Sequence, residues 1–153
     1  MRFAILSLAA AAALATPALA NEARFEGRGG IVWGNGDSEA TAGVAAGYDW
    51  DLGESAFAGI EASADKILDG ANRVSFGSGV RLGLKTATDS KVYGAASYQT
   101  KPCGTCKESI AAGVGYQQGF GNRMYGKVEY RHHFVGDSIP DYDAAMVGVG
   151  VKF

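Results

Sequence analysis

Cys103-Gly104-Thr105-Cys106 holds the only two thiols of the chain. A C-x-x-C pair serves as a redox dithiol, as half of a zinc site or as a local disulfide. Zinc needs two more ligands, which the sequence does not place nearby. A redox dithiol ordinarily opens a helix, whose dipole lowers the thiol pKa, whereas this pair follows Pro102 in a polar break between extended segments. In an oxidising compartment the expectation is a disulfide between Cys103 and Cys106 that closes a hairpin tip, with metal or redox chemistry as the alternatives.

His132 and His133 are the only histidines. Hydrolytic sites pair such a residue with a serine and often an acid. Glu129 and His133 share a strand face, but four residues of strand separate them by about 13 Å. Ser138 follows in a loop, and nothing in the sequence fixes its position. His132, flanked on its face by Tyr130 and Phe134, suits an aromatic belt. Asp137, Asp141 and Asp143 surround Pro140 and carry enough oxygen for a divalent cation, yet their spacing matches no EF-hand loop and reads as a solvated acidic loop. We expect no catalytic residue, no metal and no cofactor.

The elements that position these side chains are strands. The last ten residues, AAMVGVGVKF, place Ala145, Val147, Val149, Val151 and Phe153 on one face and Ala144, Met146, Gly148, Gly150 and Lys152 on the other. Seven earlier segments alternate in the same way, near residues 23–33, 41–52, 56–65, 73–85, 91–99, 109–118 and 123–134. The fifth is the least regular, because Tyr93 and Tyr98 fall on opposite faces. Breaks after the second, fourth and sixth segments are short (Gly53-Glu54, Thr86 to Ser90, Gly119 to Asn122). Those after the first, third, fifth and seventh (Gly34 to Glu39, Lys66 to Asn72, Thr100 to Glu108, Val135 to Asp143) are longer on average.

Alternation alone does not say which face is inside, and a soluble β-barrel or sandwich is the competing reading. Glycine and charge decide between them. The non-apolar face combines Gly43, Gly47, Gly77, Gly79, Gly83, Gly113 and Gly115 with Arg24, Glu26, Arg28, Glu61, Arg81, Lys127, Glu129 and Arg131. A water-facing exterior has little use for so many glycines in strands. In a narrow lumen, glycine leaves room for long charged side chains to cross. Aromatic residues near strand ends, Trp33, Tyr48, Trp50, Tyr130, Phe134 and Phe153, suit interfacial girdles. The expected fold is all-β: an eight-stranded antiparallel up-and-down transmembrane barrel with short periplasmic turns and longer extracellular loops.

The start of the chain supplies an address. Arg2, an apolar stretch from Phe3 to Ala15, and Thr16-Pro17-Ala18-Leu19-Ala20 have the layout of a secretory signal peptide cleaved after Ala20. An uncleaved anchor is the rival, but residues 3–20 are barely long enough to span and rich in alanine. Residues 21–153 then form one domain. Removing residues 1–20 takes away a single charge, that of Arg2, so 13 basic residues face 16 acidic ones. No basic excess points to nucleic acid. Both prolines after residue 20, Pro102 and Pro140, fall in breaks, as strand interiors require.

Val128-Glu129-Tyr130-Arg131 followed by Val147-Gly148-Val149-Gly150-Val151-Lys152-Phe153 resembles the end of small opacity-type and outer membrane protein A-like barrels. Phe57-Ala58-Gly59-Ile60-Glu61-Ala62 is similar to their third strand. The resemblance implies a bacterial outer-membrane location. It also implies that Val147, Val149, Val151 and Phe153 form the signal read by the barrel-assembly machinery, with periplasmic chaperones as partners on the way. Outer-membrane lipid and lipopolysaccharide are the expected surroundings of a monomer. No peptidoglycan-binding domain follows the barrel, so cell-wall tethering is not carried over. An interior of eight strands is filled by side chains, and Arg24, Arg28, Arg81 and Arg131 are expected to pair with Glu26, Glu61 and Glu129 as a plug. The functional expectation is a non-enzymatic barrel with an envelope-structural or surface-interaction role through its loops. The alternatives are a narrow porin-like channel, a lipid A-modifying enzyme and a soluble periplasmic β-barrel binding protein.

Overall fold

A computed structural model of the protein describes residues 21–70, 72–87, 89–136 and 139–153. The expected signal peptide, and with it Asp137 and Ser138, lies outside the described residues. Eight strands follow one another: β1 Glu22–Gly34, β2 Asp37–Leu52, β3 Ala56–Ile67, β4 Ser75–Ala87, β5 Ser90–Gln99, β6 Ser109–Phe120, β7 Met124–Phe134 and β8 Tyr142–Lys152. Every neighbour pair is antiparallel, and β8 returns to β1 to close the barrel. At the seam Phe25 lies opposite Val151, while Ala23 and Phe153 exchange backbone hydrogen bonds of 3.2 and 2.9 Å. Closure leaves no sheet edge unpaired.

The period-two pattern resolves into an inside and an outside. Outward positions are large and apolar along most strands, with Phe76, Val80, Leu82 and Leu84 on β4 and Val147, Val149 and Val151 on β8 all exposed on the barrel wall. Inward positions are charged, small or polar, and buried; Glu26 and Asp49 are fully covered. The fifth segment is an ordinary strand. Tyr93 faces in and Tyr98 faces out, so each tyrosine obeys the alternation that made the segment look irregular.

The first break differs from expectation. In place of a loop from Gly34 to Glu39, Asn35 and Gly36 alone connect β1 to β2, with φ of 52° and 92°. Two consecutive positive φ values are what a type I′ turn requires, and Asn-Gly is its preferred sequence. Asp37, Ser38 and Glu39 pair with Gly34, Trp33 and Val32 as strand. The β1–β2 hairpin therefore stands as a flap at the rim opposite the chain termini. Residues 68–74, 100–108 and 135–141 connect the other pairs at that rim, whereas residues 53–55 and 121–123 and the short break that includes Asp89 lie at the rim carrying the termini. Arg73 and Val74 precede β4 instead of belonging to it.

Candidate functional site

The lumen is the chemically richest part of the molecule. Near the rim that carries the termini, Asp49 accepts hydrogen bonds from Nε (2.8 Å) and Nη2 of Arg81 and from Lys91 Nζ at 3.1 Å. Lys91 also donates to Glu22 at 2.9 Å, and Lys85 pairs with Asp51 at 2.5 Å. Arg81 is held between the rings of Phe57 and Tyr93, 5.2 and 4.9 Å from their centroids. Stacking over two rings keeps the planar guanidinium in one orientation while its edge bonds the carboxylate.

In the middle tier Lys127 lies 2.5 Å from Glu26 and 3.3 Å from Glu129. Tyr125 donates its hydroxyl to Glu26 at 2.7 Å, and Tyr93 donates to Glu129 at 2.6 Å. Arg131 bonds both Glu129 and Glu61, the latter at 2.9 Å. Above it Arg28 clamps Asp65 with two nitrogens, at 2.8 and 2.5 Å, and reaches Glu61 with a third at 3.0 Å. Glu61 thus receives Arg24, Arg28, Lys127 and Arg131 within 4 Å. Arg24 is the exception in quality. It lies 2.9 Å from Glu61, 3.6 Å from Asp49 and 3.7 Å from Glu26, yet its buried nitrogens make no hydrogen bond of good geometry with protein groups.

All eight residues expected in the network, Arg24, Glu26, Arg28, Glu61, Arg81, Lys127, Glu129 and Arg131, face the lumen and meet there. One pairing needs correction. The carboxylate of Arg81 is Asp49, not a glutamate, because the stagger of the strands brings β2 and β4 side chains together across β3. Asp49, Asp65, Lys91 and the two tyrosines belong to the network as well. Asp49 lies two residues from Gly47 and Asp65 four from Glu61, on the same alternating face, so the signal was in the sequence. Glycines supply the space: a Cβ on Gly47 would lie 2.5 Å from Nη2 of Arg24, and one on Gly115 would enter the ring of Tyr93.

No protein-family model matches the sequence, and no curated protein matches it. Solved structures do match in shape. Neisserial surface protein A (NspA) aligns with a TM-score of 0.59 at 13% identity, over 90% of this chain and 98% of its own. Ail, the attachment invasion locus protein of Yersinia pestis, in complex with the heparin analogue sucrose octasulfate, aligns with 0.58 at 13%, over 87% and 98%. The N-terminal β-barrel domain of Pseudomonas aeruginosa OprF aligns with 0.55 at 12%, over 86% and 97%. The chain has the fold of the small eight-stranded outer-membrane barrels.

In this outer-membrane-type barrel the two histidines sit on opposite sides of the wall. His133 faces in, 3.1 Å from the Ser109 hydroxyl through Nδ1, and stacks on Tyr142 with ring centroids 4.3 Å apart. Among the described residues no carboxylate bonds its other ring nitrogen, and Glu129 is engaged by Arg131, Lys127 and Tyr93. His132 faces out. Its Nδ1 lies 2.8 Å from Asp143, its Nε2 lies 3.6 Å from Asp141, and its ring packs on Phe134 at 4.6 Å. Asp143 also accepts the Tyr130 hydroxyl at 2.5 Å, and Asp141 accepts the Val135 amide at 2.9 Å. These two carboxylates serve local structure. No metal-binding group of histidines, cysteines and acids forms among the described residues.

Aromatic side chains collect at both ends of the outer wall. Trp33 and Tyr130 approach to 6.3 Å at the far rim, and Tyr48 and Trp50 to 5.1 Å near the termini. Cys103 and Cys106 are joined as a disulfide in the 100–108 loop. That loop is tied to its neighbour: the Arg73 amide donates to the Pro102 carbonyl at 2.6 Å, and Ser75 and Phe76 bond Thr100 at 2.7 and 2.8 Å.

Proposed function

We propose that the protein is an integral outer-membrane barrel whose lumen is a closed, ion-paired plug, with a non-enzymatic role in envelope structure and surface contact through its loops. The observation that carries this reading is the contrast between wall and lumen: apolar side chains outside, and three tiers of mutually bonded charges inside. Lipid is the solvent such an exterior requires, and a closed barrel satisfies every strand backbone group within it. The charged groups cross-link β1, β2, β3, β4, β5 and β7 through the centre, which is incompatible with a wide aqueous path.

Outer-membrane lipid and lipopolysaccharide surround the wall, and the protein works as a monomer. Val147, Val149, Val151 and Phe153 act as the assembly signal in the periplasm, read by the barrel-assembly machinery after chaperones and a cleaved signal peptide have brought the chain there. The disulfide between Cys103 and Cys106 staples the tip of the longest loop. On the two docked loops Arg73, Lys101 and Lys107 are exposed, as is Lys66 near the end of β3. Ail was solved with a sulfated heparin analogue, and contact with anionic glycans is the surface interaction these cations favour here.

Planar-bilayer recording tests the plug. The purified protein is expected to give no steady conductance steps, whereas discrete open-channel steps would support the porin-like alternative. Lipid A mass spectra from a deletion strain, expected to be unchanged, test the enzyme alternative.

A further inference from the structure

The charged lumen does not continue to the rim opposite the termini. Above Arg28 and Asp65 the wall turns apolar, with Val32, Ile67 and Tyr142 bordering a crevice of about 290 Å³ that Pro102 and Pro140 close from the loops. One side of the crevice is the β1–β2 flap. Because Asn35-Gly36 makes a two-residue turn, β2 starts early, and alternation sets Asp37 and Glu39 on the same face as inward Thr41. Both carboxylates are exposed, and neither makes an ion pair or side-chain hydrogen bond among the described residues. Asp141, already engaged by His132 and the Val135 amide, lies on the opposite side, and no lysine or arginine lines the crevice.

We infer that this crevice is a binding site for a small organic cation: an amine or quaternary ammonium group carried on an apolar body. The choice of occupant follows from charge complementarity. Asp37 and Glu39 flank an apolar pocket whose lining holds no lysine or arginine, so a neutral molecule leaves these two carboxylates uncompensated and a cation offsets them. The volume falls at the lower end for small-molecule pockets, enough for one aromatic ring or a short alkyl body. Tyr142, braced from behind by His133, adds an aromatic wall that favours a cation over its neutral isostere. The proposal needs only the folded barrel, so it stands or falls apart from the role proposed above.

Calorimetric titration of the refolded protein in nanodiscs of zwitterionic lipid tests it, with benzyltrimethylammonium as the cation and benzyl alcohol as its uncharged counterpart. Saturable binding of the cation is expected, at least tenfold tighter than the alcohol. The Asp37→Asn, Glu39→Gln double variant should bind the cation about five- to tenfold more weakly, the effect of losing two exposed charge contacts. Ile67→Trp, which fills the crevice, should abolish binding, and both variants should keep heat-dependent gel mobility. Equal binding of cation and alcohol, or indifference to the double variant, would reduce the site to a plain apolar pocket and overturn the proposal. Non-saturable uptake, or binding of Mg²⁺ that excludes the organic cation, would overturn it as well.

Discussion

Glu61 is the residue on which the most charge converges, with Arg24, Arg28, Lys127 and Arg131 all within 4 Å. Glu61→Gln keeps the shape and removes the charge that offsets four buried cations. Loss of one partner from a buried network leaves desolvated charge behind, and about 3 kcal/mol of stability should go with it. Urea unfolding from lipid vesicles, read as loss of the fast-migrating unboiled band, measures this. Lys85→Gln removes a pair whose lysine side chain is 28% exposed, and should cost less than ~1 kcal/mol in the same assay. Arg24→Met should cost less than Arg28→Met, since Arg24 has close charges but no well-formed hydrogen bond, whereas Arg28 holds Asp65 with two. Equal losses would mean that proximity of charge, not hydrogen-bond geometry, sets the contribution of each arginine. That Arg24, Arg28 and Arg131 face one lumen was legible from alternation. That Arg81 seeks Asp49 was not, because partners across the barrel depend on strand stagger, which no spacing within a strand reveals.

At the scale of the strand, the outer wall and the first turn make separate demands. Val114 lies on the apolar face of β6, opposite Gly94 and Tyr130 on the neighbouring strands. Val114→Arg places a cation in the apolar band and should destabilise the barrel by about 2–4 kcal/mol if that band meets hydrocarbon. A change near zero would mean that the wall faces water. Gly36 has φ of +92°, and Gly36→Ala should cost about 1–2 kcal/mol because a Cβ disfavours that region. Both losses can be followed by the same urea assay. Asn35-Gly36 is the preferred sequence of a two-residue hairpin turn, but it falls inside a break read through to Glu39, because the polar run Asp37-Ser38-Glu39 reads as loop. It is strand because the flap stands at the rim, where polar residues on both faces carry no penalty. The docking of residues 100–108 on the preceding loop, through Arg73 and Thr100, had no counterpart in any periodic pattern.

For the whole molecule, eight alternating segments and an even count were enough to anticipate a closed antiparallel barrel. The last strand, with its terminal aromatic, points to closure against the first near Phe25, and the register places Phe25 opposite Val151. The apolar wall and the charged plug together fit the proposed outer-membrane barrel, which unfolds only when its closed sheet is broken. Membrane fractionation of expressing cells, with boiled and unboiled samples compared by gel mobility, tests it most directly. The protein is expected in the outer-membrane fraction, with a fast-migrating unboiled form that shifts on boiling. Recovery from the soluble periplasm, with the same mobility before and after heating, would contradict it.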